Sequence, residues 1–351
     1  MTSIYIREQG ATVRRQGERL VVSKGRAVLE EFPLANVEQV ALMGNVQLTT
    51  QATATLLERD IDVVFLSSYG KFRGRLSGTG AKQARLRQRQ LQQLNQPAVT
   101  LELARAIVDG KIHNQRVVLQ RQTRRTTSLA ERAQGVTAIP ADPTRFSKAL
   151  EGMIQMQRRA QQATTVDSVR GYEGKAAAFY FQAIRTLLEP GWGFQKREYY
   201  PPPDPFNALL SFAYSLLLRD VTTAVQQVGF DPYLGFFHEI EYGRPSLVLD
   251  LMEEWRPLIA DSLVLEMVNR GALQPEQFTW TGQVRRPVEL GEAGVAKVLK
   301  AYGRRLEQQL YHPQAGPGGQ TSLRQAILLQ ARQLAQVIHG QRQHYSPMRH
   351  K

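Results

Sequence analysis

The sequence predicts an α+β protein, with a small β-rich, β-sandwich-like N-terminal domain and a larger all-helical domain behind it. Residues 1–80 hold short apolar runs cut by turn signals, the pattern of strands. From Gly80 onward the apolar residues recur at helical spacing. Charge changes at the same place. Between Lys71 and Arg132 fourteen Lys and Arg stand against three acids, a net of +11, where the whole chain carries +14.

Ser3–Arg7, Ala11–Arg15, Arg19–Ser23 and Arg26–Phe32 read as strands, with turns at Gly10, Gln16-Gly17 and Lys24-Gly25. Val37–Met43 is a strand closed by Gly44-Asn45, Thr49–Arg59 a short helix, Asp62–Leu66 an apolar strand and Lys71–Leu76 a strand with alternating basic residues. Helices are predicted over Ala81–Leu94, Val99–Leu119, Thr144–Gln162, Asp167–Leu188, Pro205–Val228, Ser246–Asn269, Gly291–Tyr311 and Thr321–Gly340, with a loop at Gly135–Pro143. Asp204-Pro205 marks a helix start and Pro190-Gly191 a helix stop. The expected division is a β-rich domain over 1–80, a helical domain over 81–340 and a mobile basic tail over 341–351. Gly316-Pro317-Gly318-Gly319 is a loop and not a phosphate cradle, because no Lys-Ser/Thr pair follows it.

At 351 residues the chain is long enough for two domains with cores of their own. It has no cysteine. That excludes a disulfide scaffold, a thiolate nucleophile, a cysteine zinc site and an iron–sulfur cluster. Any metal must be held by His, Asp, Glu or backbone oxygen. The sequence offers no secretory signal and no uninterrupted apolar stretch near the length of a membrane span, so a cytoplasmic protein without a membrane partner is expected. Surplus positive charge of this size points to nucleic acid. A charge run is often only a solvated helix face. Here arginine dominates, with Tyr69 and Phe72 at the leading edge, and guanidinium grips phosphate bidentately. Arg73, Arg75, Arg85, Arg87, Arg89, Arg121, Arg124 and Arg125 are the expected contacts to double-stranded DNA, with Arg244 and Arg256 added near the acidic cluster.

That cluster is His238, Glu239, Glu241, Asp250, Glu253 and Glu254, dense in carboxylates within a basic chain. Arg244 and Arg256 are enough to balance it as a structural ion-pair network. The local pattern also allows a metal. Pro245-Ser246 marks a helix start with Ser246 as N-cap, and Asp250, Glu253 and Glu254 then share a helix edge. Pro257 cannot donate to the carbonyl of Glu253, so a kink is expected there. His238, twelve residues before Asp250, is placed to approach from the preceding element. His238-Glu239 begins like a zinc-protease motif, but Tyr242 stands where the second histidine belongs. One histidine with carboxylates suits Mg²⁺ or Mn²⁺ better than structural zinc. Glu173 lies between two glycines inside a helical run. Gly171 and Gly174 each cost about 1 kcal/mol against alanine, which makes sense if another helix or a substrate backbone comes close.

Three segments together resemble a known family. They are Arg170-Gly171-Tyr172-Glu173-Gly174, the run Pro202-Pro203-Asp204-Pro205-Phe206-Asn207 through Tyr214, and His238 followed by Asp250-Leu251-Met252-Glu253-Glu254-Trp255-Arg256-Pro257. In order and spacing they resemble the CRISPR-associated spacer-acquisition integrase and endonuclease family, Cas1, over essentially the whole chain. The resemblance implies metal ligands at Glu173, His238 and Glu253, with Asp250 as a ligand or a support, and Asn207 and Tyr214 as supporting residues. It implies strand transfer, in which a 3′-hydroxyl of a short captured duplex attacks a phosphodiester at the edge of a CRISPR repeat with Mg²⁺ or Mn²⁺ bound. His238 is a candidate proton carrier in that step. It further implies a homodimer made through the N-terminal domain, and a small ferredoxin-like CRISPR-associated partner, Cas2. Two other readings stay open on the residues alone: a metal-dependent nuclease of DNA repair or recombination, and a non-catalytic nucleic-acid-binding scaffold.

Overall fold

A computed structural model describes residues 2–66, 72–76, 78, 82–132, 143–316 and 318–350. The chain divides into two units, one of residues 1–88 with 222–230, the other of residues 89–221 with 231–351.

The first unit holds β1 (Thr2–Ile6), β2 (Thr12–Gln16), β3 (Arg19–Lys24), β4 (Ala27–Pro33), β5 (Val37–Met43), β6 (Gln47–Leu48), α1 (Thr50–Glu58), β7 (Asp62–Leu66) and β8 (Phe72–Leu76). Two four-stranded sheets form, ordered β1-β5-β7-β8 and β4-β3-β2-β6. The β2–β3 hairpin closes on Gly17-Glu18, with Gly17 at φ +57° in the first central position, where a side chain is strained. Alternation sorts the strands: Ile4, Ile6, Val40, Leu42 and Val63 meet Val13, Leu20 and Val22 of the other sheet in one core with Leu56 of α1. Ala41, Met43 and Val64 face the opposite side. Residues 222–230 belong here because Gln39 and Arg75 donate to the carbonyls of Gln227 (3.4 Å) and Gln226 (2.9 Å).

Next come α2 (Lys82–Leu94), α3 (Pro97–Arg132), α4 (Pro143–Gln162), α5 (Val166–Arg185) and α6 (Pro205–Val228). In the second unit α3, α4 and α5 pack against one another. Gly152 of α4 lets α5 approach, since a Cβ there would lie 2.7 Å from the Phe179 ring. Then follow α7 (Ser246–Met252), a π-helical turn over Arg256–Asp261, α8 (Ser262–Asn269), β9 (Phe278–Gln283), β10 (Arg286–Leu290), α9 (Glu292–Leu306), β11 (Gln309–Tyr311), β12 (Gln320–Ser322) and α10 (Leu323–Ile338).

Several expectations are corrected. The second unit is not all-helical: β9–β10 and β11–β12 are two-stranded ribbons. Thr279, Trp280 and Thr281 favour extended backbone, and Gly282, inside β9 at φ +71°, sits where the pairing with β10 shifts register. The helix read as Val99–Leu119 runs to Arg132, because polar residues beyond Leu119 continue it without a breaker. The single helix read over Ser246–Asn269 is divided at Pro257 into α7, the π turn and α8. Ser246 is not the N-cap: Pro245 holds that position, and the Ser246 hydroxyl donates to the Glu239 carbonyl at 2.7 Å. α6 is long and apolar enough on average to cross a membrane, but it is interrupted by Arg219 and Asp220, and most of it is buried inside the protein. The loop read over 135–143 falls almost wholly outside the described residues, as does Tyr69.

The basic tail is a packed strap. Tyr345 and Met348 are buried. His344 pairs with Glu102 at 2.6 Å and Arg349 pairs with Asp109, both acids on α3. Pro347 rests on Gly110, where a Cβ would come within 2.6 Å of it. Apolar residues alternating with cations fit a helix that offers two acids and a glycine notch.

Candidate active site

The second unit brings together Glu173, His238, Asp250, Glu253 and Arg256, far apart in sequence. α5 presents Glu173, after a start capped by Thr165, whose hydroxyl accepts the Ser168 N–H. Glu253 follows α7, and Arg256 opens the π turn.

Asp250 is fully buried and surrounded by donors. Its Oδ2 accepts the N–H groups of Phe236 (2.6 Å) and Phe237 (3.1 Å), and its Oδ1 accepts the His238 N–H (2.8 Å). The His238 ring meets the same Oδ1 through Nδ1 at 2.6 Å. A carboxylate already accepting backbone N–H groups assigns the ring proton to Nδ1, which leaves the Nε2 lone pair facing Glu253 Oε1 at 3.7 Å. Gly235 permits the loop to lie this close, since a Cβ there would fall 2.7 Å from Asp250 Oδ2. Asp250 therefore orients the histidine, and its own oxygens are occupied.

Glu173 and Glu253 meet at one point, the ammonium of Lys111 on α3. Lys111 Nζ lies 2.5 Å from Glu173 Oε1 and forms an ion pair with Glu253 Oε2. That buried Glu253 oxygen has no hydrogen-bond partner beyond the ion pair. Arg256 Nε lies 3.2 Å from Glu253 Oε1. Burial alone would raise the Glu253 carboxyl, but Arg256 and Lys111 hold it down at about 2. Burial alone would lower Lys111, yet Glu173 and Glu253 raise it, so it is a cation.

The donor set fits a divalent ion. Its oxygen and imidazole donors are of the type such an ion takes: Glu173 and Glu253 share Lys111, His238 Nε2 lies 3.7 Å from Glu253 Oε1, and the other ring nitrogen is held by a carboxylate, the usual arrangement behind a metal-bound histidine. Among the described residues no three His, Asp or Glu side chains are gathered as a metal cage. The two carboxylates instead close on Lys111.

A second layer lies beside this point. The guanidinium groups of Arg256 (4.7 Å) and Arg197 (5.3 Å) both lie over the Tyr214 ring. The Tyr214 hydroxyl donates to Asp261 Oδ1 at 2.7 Å, and Tyr180 donates to Oδ2 at 2.9 Å. Burial lifts Asp261 to about 6 despite these bonds. Asn207 fixes Arg197: its Oδ1 accepts Arg197 Nη1 (2.8 Å), and its Nδ2 donates to the Lys196 carbonyl (2.9 Å). Asp204 caps α6 by accepting the Asn207 N–H at 2.8 Å. A cavity of about 230 Å³ opens among Lys111, Arg197, Tyr214, Glu253, Arg256 and Asp261.

Glu254, read as sharing the cluster's edge, turns away. It is buried against the strap, accepting the Tyr345 hydroxyl and the Met348 N–H (2.5 Å). Glu239 and Glu241 pair with Arg170 (3.4 Å) and Arg244 (2.9 Å) toward solvent.

Of the arginines expected on DNA, Arg73 and Arg85 are exposed. Arg75 pairs with Asp62, Arg87 donates to the Gly229 carbonyl (3.1 Å) and Arg89 to that of His339 (2.6 Å). Arg121 meets the His350 ring at 2.7 Å. Arg256 is half-buried in the site itself, beside Glu253. The side chains of Arg124 and Arg125 lie outside the described part. Gly171 and Gly174 admit no other helix, because a Cβ on either meets open space. Replacing both by alanine is expected to stabilise the fold by about 1 kcal/mol each, read from urea melts; a loss of stability would show a hidden packing role.

Reading the sequence missed Lys111 and Asp261. Lys111 was counted within the basic stretch, although it falls on the buried face of α3 with Ala104, Ile107 and Val108. One lysine at that helical spacing was the available signal.

The profile of the family described as CRISPR associated protein Cas1 matches residues 4–304. The chain belongs to the Cas1 family. It is 34% identical to the CRISPR-associated endonuclease Cas1 3 of Thermus thermophilus, across 98% of this chain and 96% of that one. It is 36% identical to the CRISPR-associated exonuclease Cas4/endonuclease Cas1 fusion of Geobacter sulfurreducens, across 96% of this chain but only 58% of the fusion. In fold it is similar to a casposase bound to integration product, with a TM-score of 0.79, 20% identity, and 98% of this chain and 97% of that chain covered. The family is CRISPR-associated, and the first two of these relatives carry endonuclease in their names.

Proposed function

We propose that this Cas1 chain is a metal-dependent DNA strand transferase and endonuclease of CRISPR adaptation, joining the 3′-hydroxyl of a short captured duplex to the edge of a CRISPR repeat. The observation that carries the reading is the meeting of Glu173 and Glu253 on Lys111, with Nε2 of the Asp250-oriented His238 3.7 Å from Glu253 Oε1. Glu173, Glu253 and His238 Nε2 are the groups that would hold Mg²⁺ or Mn²⁺. Such an ion, when bound, supplies Lewis-acid polarisation of the scissile phosphate and stabilises charge on the attacking and leaving oxygens. Asp250 keeps the His238 lone pair aimed at the site. Arg256 and Arg197, stacked on Tyr214, are held rigidly beside the cavity, where guanidinium groups orient phosphate oxygens. Double-stranded DNA, a second copy of the chain and Cas2 are the proposed partners, and the cytoplasm of a prokaryotic cell the proposed location.

The test is strand transfer of a short 3′-hydroxyl duplex into a supercoiled CRISPR plasmid in Mg²⁺ or Mn²⁺, with and without Cas2. Wild type is expected to give joined products, and Glu173→Ala and His238→Ala none, with DNA binding retained. Cutting without joining would reduce the reading to a plain nuclease. Neither activity, with DNA still bound, would favour a scaffold.

Binding should be governed by phosphate pairing and therefore steeply salt-dependent. Replacing the exposed Arg73 and Arg85 by glutamine is expected to lower the slope of log K against log salt by about 0.9 for each phosphate that is no longer neutralised. An unchanged slope would remove both from the DNA surface.

A further inference from the structure

We infer that Lys111 is an internal stand-in for the divalent ion: its ammonium holds Glu173 and Glu253 together until the metal displaces it into the adjoining cavity. The inference rests on the metal reading above and names the residue with which the metal competes.

The geometry requires such a competitor. Glu173 and Glu253 come from different helical segments, and their side chains are 18% and 5% exposed. Two carboxylates brought this close with no cation between them would repel and be left poorly solvated. Lys111 supplies the cation at the point where both carboxylates converge, and its side chain is 10% exposed. An ammonium and a divalent ion cannot share that point, because both need the same carboxylate oxygens. Glu253 Oε2, with no hydrogen bond to keep it, is released when the ammonium leaves.

The fold confines the exchange to one side chain. α3 cannot slide with Lys111, because the strap holds it on either side. Pro347 packs on Gly110, and Asn114 Nδ2 donates to the carbonyls of Glu254 (2.9 Å) and Met348 (2.8 Å). The lysine stem must swing, and the 230 Å³ cavity it already lines gives it room. In that cavity the ammonium faces Asp261 but also Arg197 and Arg256. Repulsion from two guanidinium groups favours its return once the metal leaves. A phosphate entering the cavity offsets the repulsion, so metal and DNA should bind with positive cooperativity through this lysine.

Two measurements on the full-length protein test this. Manganese affinity, from the free-ion EPR signal, is expected to rise about tenfold or more in Lys111→Met, since every 1.4 kcal/mol of lost competition is a factor of ten. In EDTA the same variant is expected to melt below wild type and to recover more on adding Mn²⁺. Equal Mn²⁺ affinity in the two proteins would overturn the inference. Absence of Mn²⁺ binding in both would overturn the metal reading beneath it. Where Lys111→Met fails to fold, the wild type decides alone. Reductive dimethylation of Lys111, followed by mass spectrometry, is expected to quicken several-fold on adding Mn²⁺ as the ammonium leaves its buried pair. An unchanged or slower rate would show that the lysine stays where it is.

Discussion

Asp250→Asn is expected to lower manganese affinity by about 10–100-fold, the usual consequence of losing the outer partner of a ligating histidine. Asp250 accepts three backbone N–H groups and the His238 ring through two oxygens. Asparagine offers one accepting oxygen and one NH₂. If the oxygen serves Phe236 and Phe237, the NH₂ faces His238, and Nδ1 must become the acceptor. The proton then moves to Nε2, which can no longer bind a cation. If the oxygen serves His238, two buried N–H groups of the loop lose their acceptor, at about 1–3 kcal/mol. Manganese titration followed by EPR, paired with a urea melt, separates the outcomes. Wild-type affinity in Asp250→Asn would remove Asp250 from any role behind the histidine.

Deleting residues 341–351 is expected to destabilise the protein by on the order of 5 kcal/mol, because Tyr345 and Met348 no longer bury apolar surface and Glu254 and Asn114 lose their strap partners. Equal urea midpoints for the full and shortened chains would show the strap to be dispensable. The same carboxylate sets a pH dependence. Burial lifts Glu254 to about 7 although Tyr345, Met348 and Gln330 all donate to it, against 4.5 for an ordinary glutamate. The folded chain thus keeps a proton that the unfolded chain gives up. Its contribution is full below pH 4.5 and is lost as pH rises toward 7, a change of about 3 kcal/mol. Glu253, held at about 2, acts oppositely: its contribution is present above pH 4.5 and is lost as pH falls toward 2. Unfolding free energy measured from pH 5 to 8 should decline in wild type and be flatter in Glu254→Gln. Equal slopes in the two proteins would place the titration elsewhere.

Local pattern by itself determined much of this protein. Strand alternation in residues 1–66, the turns at Gly17 and Gly25, and the start of α6 at Asp204-Pro205 depend on near neighbours, so they were legible. So were Glu173, His238, Asp250 and Glu253 as unusual residues in a basic chain, and the family by their order. Tertiary structure alone decided which of them meet. Asp250 and Glu253 are three residues apart, yet one is filled by a loop folding back through Gly235 and the other opens onto Lys111. Glu254, the next residue, belongs to the strap. Lys111 and Asp261 were hidden because a charge inside a helix says nothing of its partner. A buried ion pair is made by packing helices whose sequence separation is large, 62 residues for Lys111 and Glu173. The strap was misread for the same reason: its cations look solvent-directed until α3 brings Glu102 and Asp109 to meet them.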